Sequence, residues 1–115
     1  MREKEELDLV LQALRSAEQV HWDPRSAGNV RNNHDLDGLP VEEITSLLID
    51  FRLHNGKISQ KKETREPWIN RYKYYYKAIV PVAGFKHGLF IEMRLVDDDA
   101  DFPIVSIVNA HPQQK

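Results

Sequence analysis

The last third of the chain consists of three apolar-rich runs, at 72–82, 89–96 and 103–110, joined by segments short enough to be turns. Such a succession predicts an antiparallel meander. Residues 83–88 read as a hairpin connection and 97–102 as a second turn. Polar residues fall where a purely structural sheet would not put them. The middle run carries Glu92 and Arg94, and the last run ends with Asn109 and His111, each pair two residues apart. Side chains on a strand alternate faces, so each pair shares a face. A carboxylate, a guanidinium and an imidazole on one sheet surface supply the groups for general acid–base chemistry on a phosphate ester.

With 115 residues the chain is expected to be a single domain, 1–115, with a sizeable core. It has no cysteine, hence no disulfide framework and no thiolate metal site, as suits a reducing compartment. The charged start, Met1-Arg-Glu-Lys-Glu-Glu, has no apolar stretch after it that would make a signal peptide. No run approaches the roughly 20 apolar residues of a membrane span, so the expected location is cytoplasmic. The net charge of −2 hides a segregated distribution: −6 over residues 1–50, +6 over 51–77 and −2 over 78–115. The basic block ends in Trp68, Tyr72, Tyr74, Tyr75 and Tyr76. Segregation of this kind suits an anionic partner on one face, although a charge run is as often a solvated loop.

Residues 3–19 show helical spacing through Leu7, Val10, Leu11, Leu14 and Ala17, with acidic residues in the first turn. Residues 20–39 read as irregular, with at most a short strand near 27–31. A second helix starts at Pro40, carries Val41, Ile44, Leu47, Leu48 and Phe51 on one stripe, and stops at Asn55-Gly56. Residues 57–67 form a polar loop or a short edge strand. The expected fold is therefore α+β, with two helices on one face of a three- to four-stranded antiparallel sheet and the other face partly free.

A hairpin at 97–102 would set Arg94 beside Val105 and Glu92 beside Ile107, leaving Glu92, Arg94, Asn109 and His111 on one face. For RNA cleaved by its own 2′-hydroxyl, Glu92 has the chemistry of the base and His111 that of the acid. Arg94 and Lys77 would steady the charge on phosphorus. Lys57, Lys61, Lys62, Arg65 and Lys73 would hold the RNA backbone, and Trp68, Tyr74 or Tyr75 would stack an unpaired base. The plainer reading makes Glu92 and Arg94 an exposed cross-strand pair and His111 a terminal surface residue. His21, His34 and His54 lack ligand spacing. The aspartates at 97–101 lack the Gly and distal Glu of a calcium loop, so neither a metal nor a cofactor is expected.

Over about residues 36–111 the chain resembles the small RelE-like bacterial toxins, and the MqsR-type mRNA interferases among them. The likeness runs through Asp35-Leu-Asp-Gly-Leu leading into a helix, a lysine-bearing loop and Trp68-Ile-Asn-Arg-Tyr72. It continues through Gly88-Leu-Phe-Ile-Glu-Met-Arg94 and Ile104-Val-Ser-Ile-Val108. The resemblance implies two helices on an antiparallel sheet, cleavage of mRNA without a metal, and restraint by a cognate antitoxin or immunity protein. A family lysine before the strands is matched by Lys57, Lys61 or Lys62. The chain departs from the family in having Ile69 after Trp68, where the family has a polar residue. It departs again in having Phe90 and Glu92 where the middle strand usually carries Tyr or Lys. Glu92 with His111 is closer to the wider barnase-like ribonuclease arrangement.

Two other functions compete with an endoribonuclease toxin. One is a non-enzymatic protein-binding module, immunity-like or regulatory, using the acidic first fifty residues against a basic partner. The other is an RNA binder without catalysis.

Overall fold

The computed structural model describes residues 3–114, and it is an α+β fold with three helices and a five-stranded mixed sheet. Helix α1 spans Glu3–Ala13 and buries Val10, with Leu14 just past its end. The expected helix to residue 19 is cut short because Ser16 competes for the backbone: its Oγ accepts from the Glu18 amide and caps a separate 3-10 turn. Strand β1 (Val20–Trp22) follows, then helix α2 (Pro24–Arg31), where an irregular stretch was expected. The Asp23 carboxylate caps α2 through the Ser26 amide, and Pro24 occupies the first turn, where a missing N–H costs nothing.

Helix α3 spans Val41–Leu53 and ends at Asn55, which takes the left-handed conformation at φ 66°. Its buried stripe, Ile44 and Leu48, packs with Val10, Leu14 and Val30 onto one side of the sheet. Strands β2 (Ser59–Lys62), β3 (Tyr74–Val82), β4 (Phe85–Asp97) and β5 (Ile104–Pro112) complete the sheet in the order β1-β5-β4-β3-β2. All neighbours are antiparallel except β1, which adds to β5 in parallel. The sequence therefore understates the helices by one and misses the parallel edge. The β3–β4 turn is also tighter than expected. Only Ala83 and Gly84 lie between the paired Val82 and Phe85, and Gly84 supplies the φ of 91°.

The helix-side face of the sheet presents Tyr76, Ala78, Val80, Leu89, Ile91, Met93, Val105 and Ile107, all essentially buried. Tyr76 is the one polar member. Its hydroxyl donates to Glu6 Oε1 (3.0 Å) and accepts from Gln60 Nε2 (2.8 Å), tying α1 and β2 to the sheet. Burial pushes the Tyr76 hydroxyl well above its ordinary range, and burial also raises the Glu6 carboxyl against the pull of the Tyr76 hydrogen bond. Among the described residues no helix is long and apolar enough to cross a membrane.

Candidate active site on the open face of the sheet

The register of β4 and β5 differs from expectation by one residue at Arg94 and by two at Glu92. Arg94 pairs with Ser106 and Leu95 with Val105, and Met93 pairs with Ile107. Val105 and Ile107 then point into the core, and strict alternation would send Asn109 and His111 after them. A β-bulge prevents this. Glu92 pairs with Asn109 and Phe90 with His111, so Val108 is the extra residue between Ile107 and Asn109. The bulge returns Asn109 and His111 to the face of Glu92 and Arg94. Its exposed backbone is satisfied from α2: the Ser26 hydroxyl donates to the Val108 carbonyl oxygen.

The face away from the helices is laid out in rows across the strands. One row runs Ser59, Lys77, Glu92, Asn109. The next holds Ile79, Phe90 and His111. On the other side Lys61 pairs with Tyr75, and Arg94 pairs with Ser106, which pairs in turn with His21 of β1. Glu92 and His111 are diagonal neighbours, a relation that separates Cα atoms by about 7–8 Å. The His111 ring stacks on Phe90 at 4.8 Å between centroids and 22° between planes. Its Nδ1 lies 2.9 Å from the Pro112 carbonyl oxygen. A carbonyl only accepts, so Nδ1 carries a proton and Nε2 is the nitrogen available for exchange.

Glu92 and Arg94 are not an exposed pair. They are 5% and 2% exposed, and they belong to a four-charge cluster with Glu63 and Arg65. Glu63, also 2% exposed, accepts from Arg94 Nη2 at 2.5 Å and from Arg65 Nε at 3.0 Å. The Thr64 and Arg65 amides donate to the same carboxylate. Arg65 reaches on to Glu92 with Nη2 at 2.8 Å and Nη1 at 3.4 Å, while Arg94 Nη2 lies 3.4 Å from Glu92. Burial pushes the Glu63 carboxyl up, but the hydrogen bonds from Arg94 and Arg65 outweigh it and hold the group at about 2. Hydrogen bonds donated to Glu92 drive the Arg65 guanidinium further above its already high range.

Aromatic rings close the cluster. Trp68 and Tyr72 lie against the Arg94 guanidinium at 4.5 and 5.6 Å, and Tyr75 lies under Arg65 at 4.4 Å. One atom is left over: Arg94 Nε is buried with no hydrogen-bond partner. The Arg94 charge is thus compensated inside the fold, and Arg65, with its side chain 48% exposed, is the guanidinium that meets solvent.

Of the residues singled out from sequence, Glu92, Arg94, His111, Lys77, Lys61, Arg65 and Tyr75 come together on this face, with Trp68 over its edge. Lys62 pairs with Tyr74, one step out of phase with Lys61, and so turns to the opposite face. Lys73 lies by Glu6, and Lys57 is exposed ahead of β2. Sequence reasoning missed Glu63, whose neighbours Lys61, Lys62 and Arg65 disguise it as part of a solvated charge run. It also missed His21, which parallel pairing with Ser106 brings onto the same face. Among the described residues no group of three or more His, Asp or Glu side chains is arranged to hold a metal ion.

Comparison with protein-family models, with curated proteins and with solved structures gives no match to this chain.

Proposed function

We propose that the open face is the active site of a metal-independent endoribonuclease that cleaves RNA by general acid–base chemistry, as an mRNA interferase-like toxin does. The observation that carries this reading is the placement of Glu92 and His111 as diagonal neighbours, with Lys77 and Asn109 flanking Glu92 on either side. Glu92 takes the proton of a 2′-hydroxyl, whose oxygen attacks the adjacent phosphorus. The bond to the 5′-oxygen breaks, and His111 gives that oxygen the proton on Nε2. The products are a 2′,3′-cyclic phosphate and a free 5′-hydroxyl, and solvent returns the two proton carriers to their starting states. Lys77 and Arg65 offset the charge that builds on the phosphate oxygens. Lys61 and Tyr75 extend the surface for the neighbouring backbone and base. An activity of this kind acts in the cytoplasm on mRNA, and a host survives it only with a neutralising antitoxin or immunity protein.

The test is purified protein with single-stranded RNA in EDTA, with the ends of the fragments identified. The reading expects fragments with cyclic phosphate ends from the wild type and far fewer from His111→Ala. Intact RNA with the wild type refutes it. The engagement of Glu92 by Arg65 favours a second reading, in which the same face binds RNA without cutting it. There Lys61→Ala and Lys77→Ala would weaken binding and flatten its salt dependence, while His111→Ala would change nothing.

A further inference from the structure

In the four-charge cluster, three members are buried and one, Arg65, reaches solvent with its Nη atoms on Glu92 while its Nε stays bonded to Glu63 at 3.0 Å. Arg94 and Glu63 are buried and bonded to each other, and Trp68 and Tyr72 hold the Arg94 guanidinium from the side. Glu92 is buried on a central strand. Arg65 differs. It comes from the segment between β2 and β3, its side chain is about half exposed, and its Nη1 and Nη2 cover both oxygens of Glu92. A carboxylate engaged this way is a poor proton acceptor, because its lone pairs are already committed to guanidinium hydrogens.

We propose that Arg65 is a movable cap on Glu92, drawn off the carboxylate by the phosphodiester that the open face receives. The anion being an RNA phosphodiester rests on the function proposed above; the cap itself does not. A guanidinium forms the same bidentate pair with a phosphate as with a carboxylate, so the exchange replaces one charge-assisted contact by another of similar strength. Tyr75, whose ring lies under the guanidinium, gives Arg65 a surface to slide across without full rehydration. With Arg65 on the phosphate, Glu92 keeps only the longer 3.4 Å approach of Arg94. The carboxylate then stands beside Lys77 and Asn109 as an accessible base, at the moment that a phosphate is present and not before. Arg94 cannot do the same work, since it is 2% exposed and pinned between Glu63 and two rings.

The experiment is a titration of the full chain with inorganic phosphate at constant ionic strength, with sodium chloride as the control. It is followed by NMR of the arginine Nε–H groups and of the carbon-13-labelled glutamate carboxyls. The cap predicts that the Arg65 Nε–H and the Glu92 carboxyl move along one saturation curve while Arg94 stays still. In Arg65→Ala the Glu92 carboxyl should begin displaced, and phosphate should bind about tenfold or more weakly, as loss of a charged hydrogen-bonded pair implies. Arg65→Lys guards against a folding defect and should show an intermediate response, since an ammonium lacks the fork.

An Arg65 signal that phosphate leaves in place overturns the cap, as does a Glu92 shift of equal size in Arg65→Ala. The RNA assay separates this result from the proposed function. Coupled shifts without RNA cleavage keep the cap and remove the ribonuclease. Cleavage without coupled shifts does the reverse.

Discussion

The two faces of the sheet bury their charged and polar groups in different ways. On the helix side a mainly apolar layer takes in the polar clasp of Tyr76 with Glu6 and Gln60, and all three helices cover it. On the open side two carboxylates and two guanidiniums balance one another's charge among three aromatic rings, away from the three α-helices. The first arrangement derives its stability from apolar area removed from water. The second gains little net energy from its charges, because desolvation offsets most of their attraction. It holds the segment carrying Arg65 against Glu92 instead. A surface organised in this way is poised to exchange one anion for another, which the helix-side face has no means to do.

Five variants break or sharpen that contrast, taken from the largest effect to the smallest. His111→Ala should lower RNA cleavage by about 10²–10⁴-fold, the range for a lost general acid, with an unchanged circular dichroism spectrum. Glu63→Ala strands the buried Arg94 charge and should cost about 3–5 kcal/mol in urea unfolding. Replacing both partners by apolar residues, Glu63→Leu with Arg94→Met, should cost far less, because no uncompensated charge remains.

The pH dependence of stability isolates the same carboxylate. Glu63 sits at about 2 in the folded chain against an ordinary 4.5. Its contribution is therefore complete above about 4.5 and is lost as pH falls through about 2. This amounts to at most about 3 kcal/mol, and it should vanish in Glu63→Gln. Glu6 runs the other way: its raised pKa gives a contribution that is complete below the unfolded value and is lost as pH rises through the folded one. On the helix-side face Tyr76→Phe should cost about 1–2 kcal/mol, the usual loss for an unpaired buried partner, and leave RNA cleavage unchanged.

The α+β class and the β3–β5 meander were legible in the sequence because apolar periodicity and turn residues agree there. Helix α2 was hidden by its polar composition, although Asp23-Pro24 carries a cap and a favoured first position. Strand β1, with three residues, is too short for any periodicity to register. Placing Glu92, Arg94, Asn109 and His111 on one face was correct, but the register behind it was not: the bulge at Val108, and not unbroken alternation, brings them together. No local signal announces a bulge in a β-branched run such as Ile104-Val-Ser-Ile-Val108. Glu63 was illegible for another reason. Its burial depends on Arg94, thirty-one positions away, and charge pairing at that range leaves no trace in a single sequence.

The most direct test of the account sets a single-stranded RNA beside the DNA of identical sequence, each incubated with the protein in EDTA. The chemistry proposed for Glu92 and His111 needs the 2′-hydroxyl, so the RNA should yield fragments ending in 2′,3′-cyclic phosphate while the DNA stays whole. Cleavage of both strands, or of neither, would contradict it.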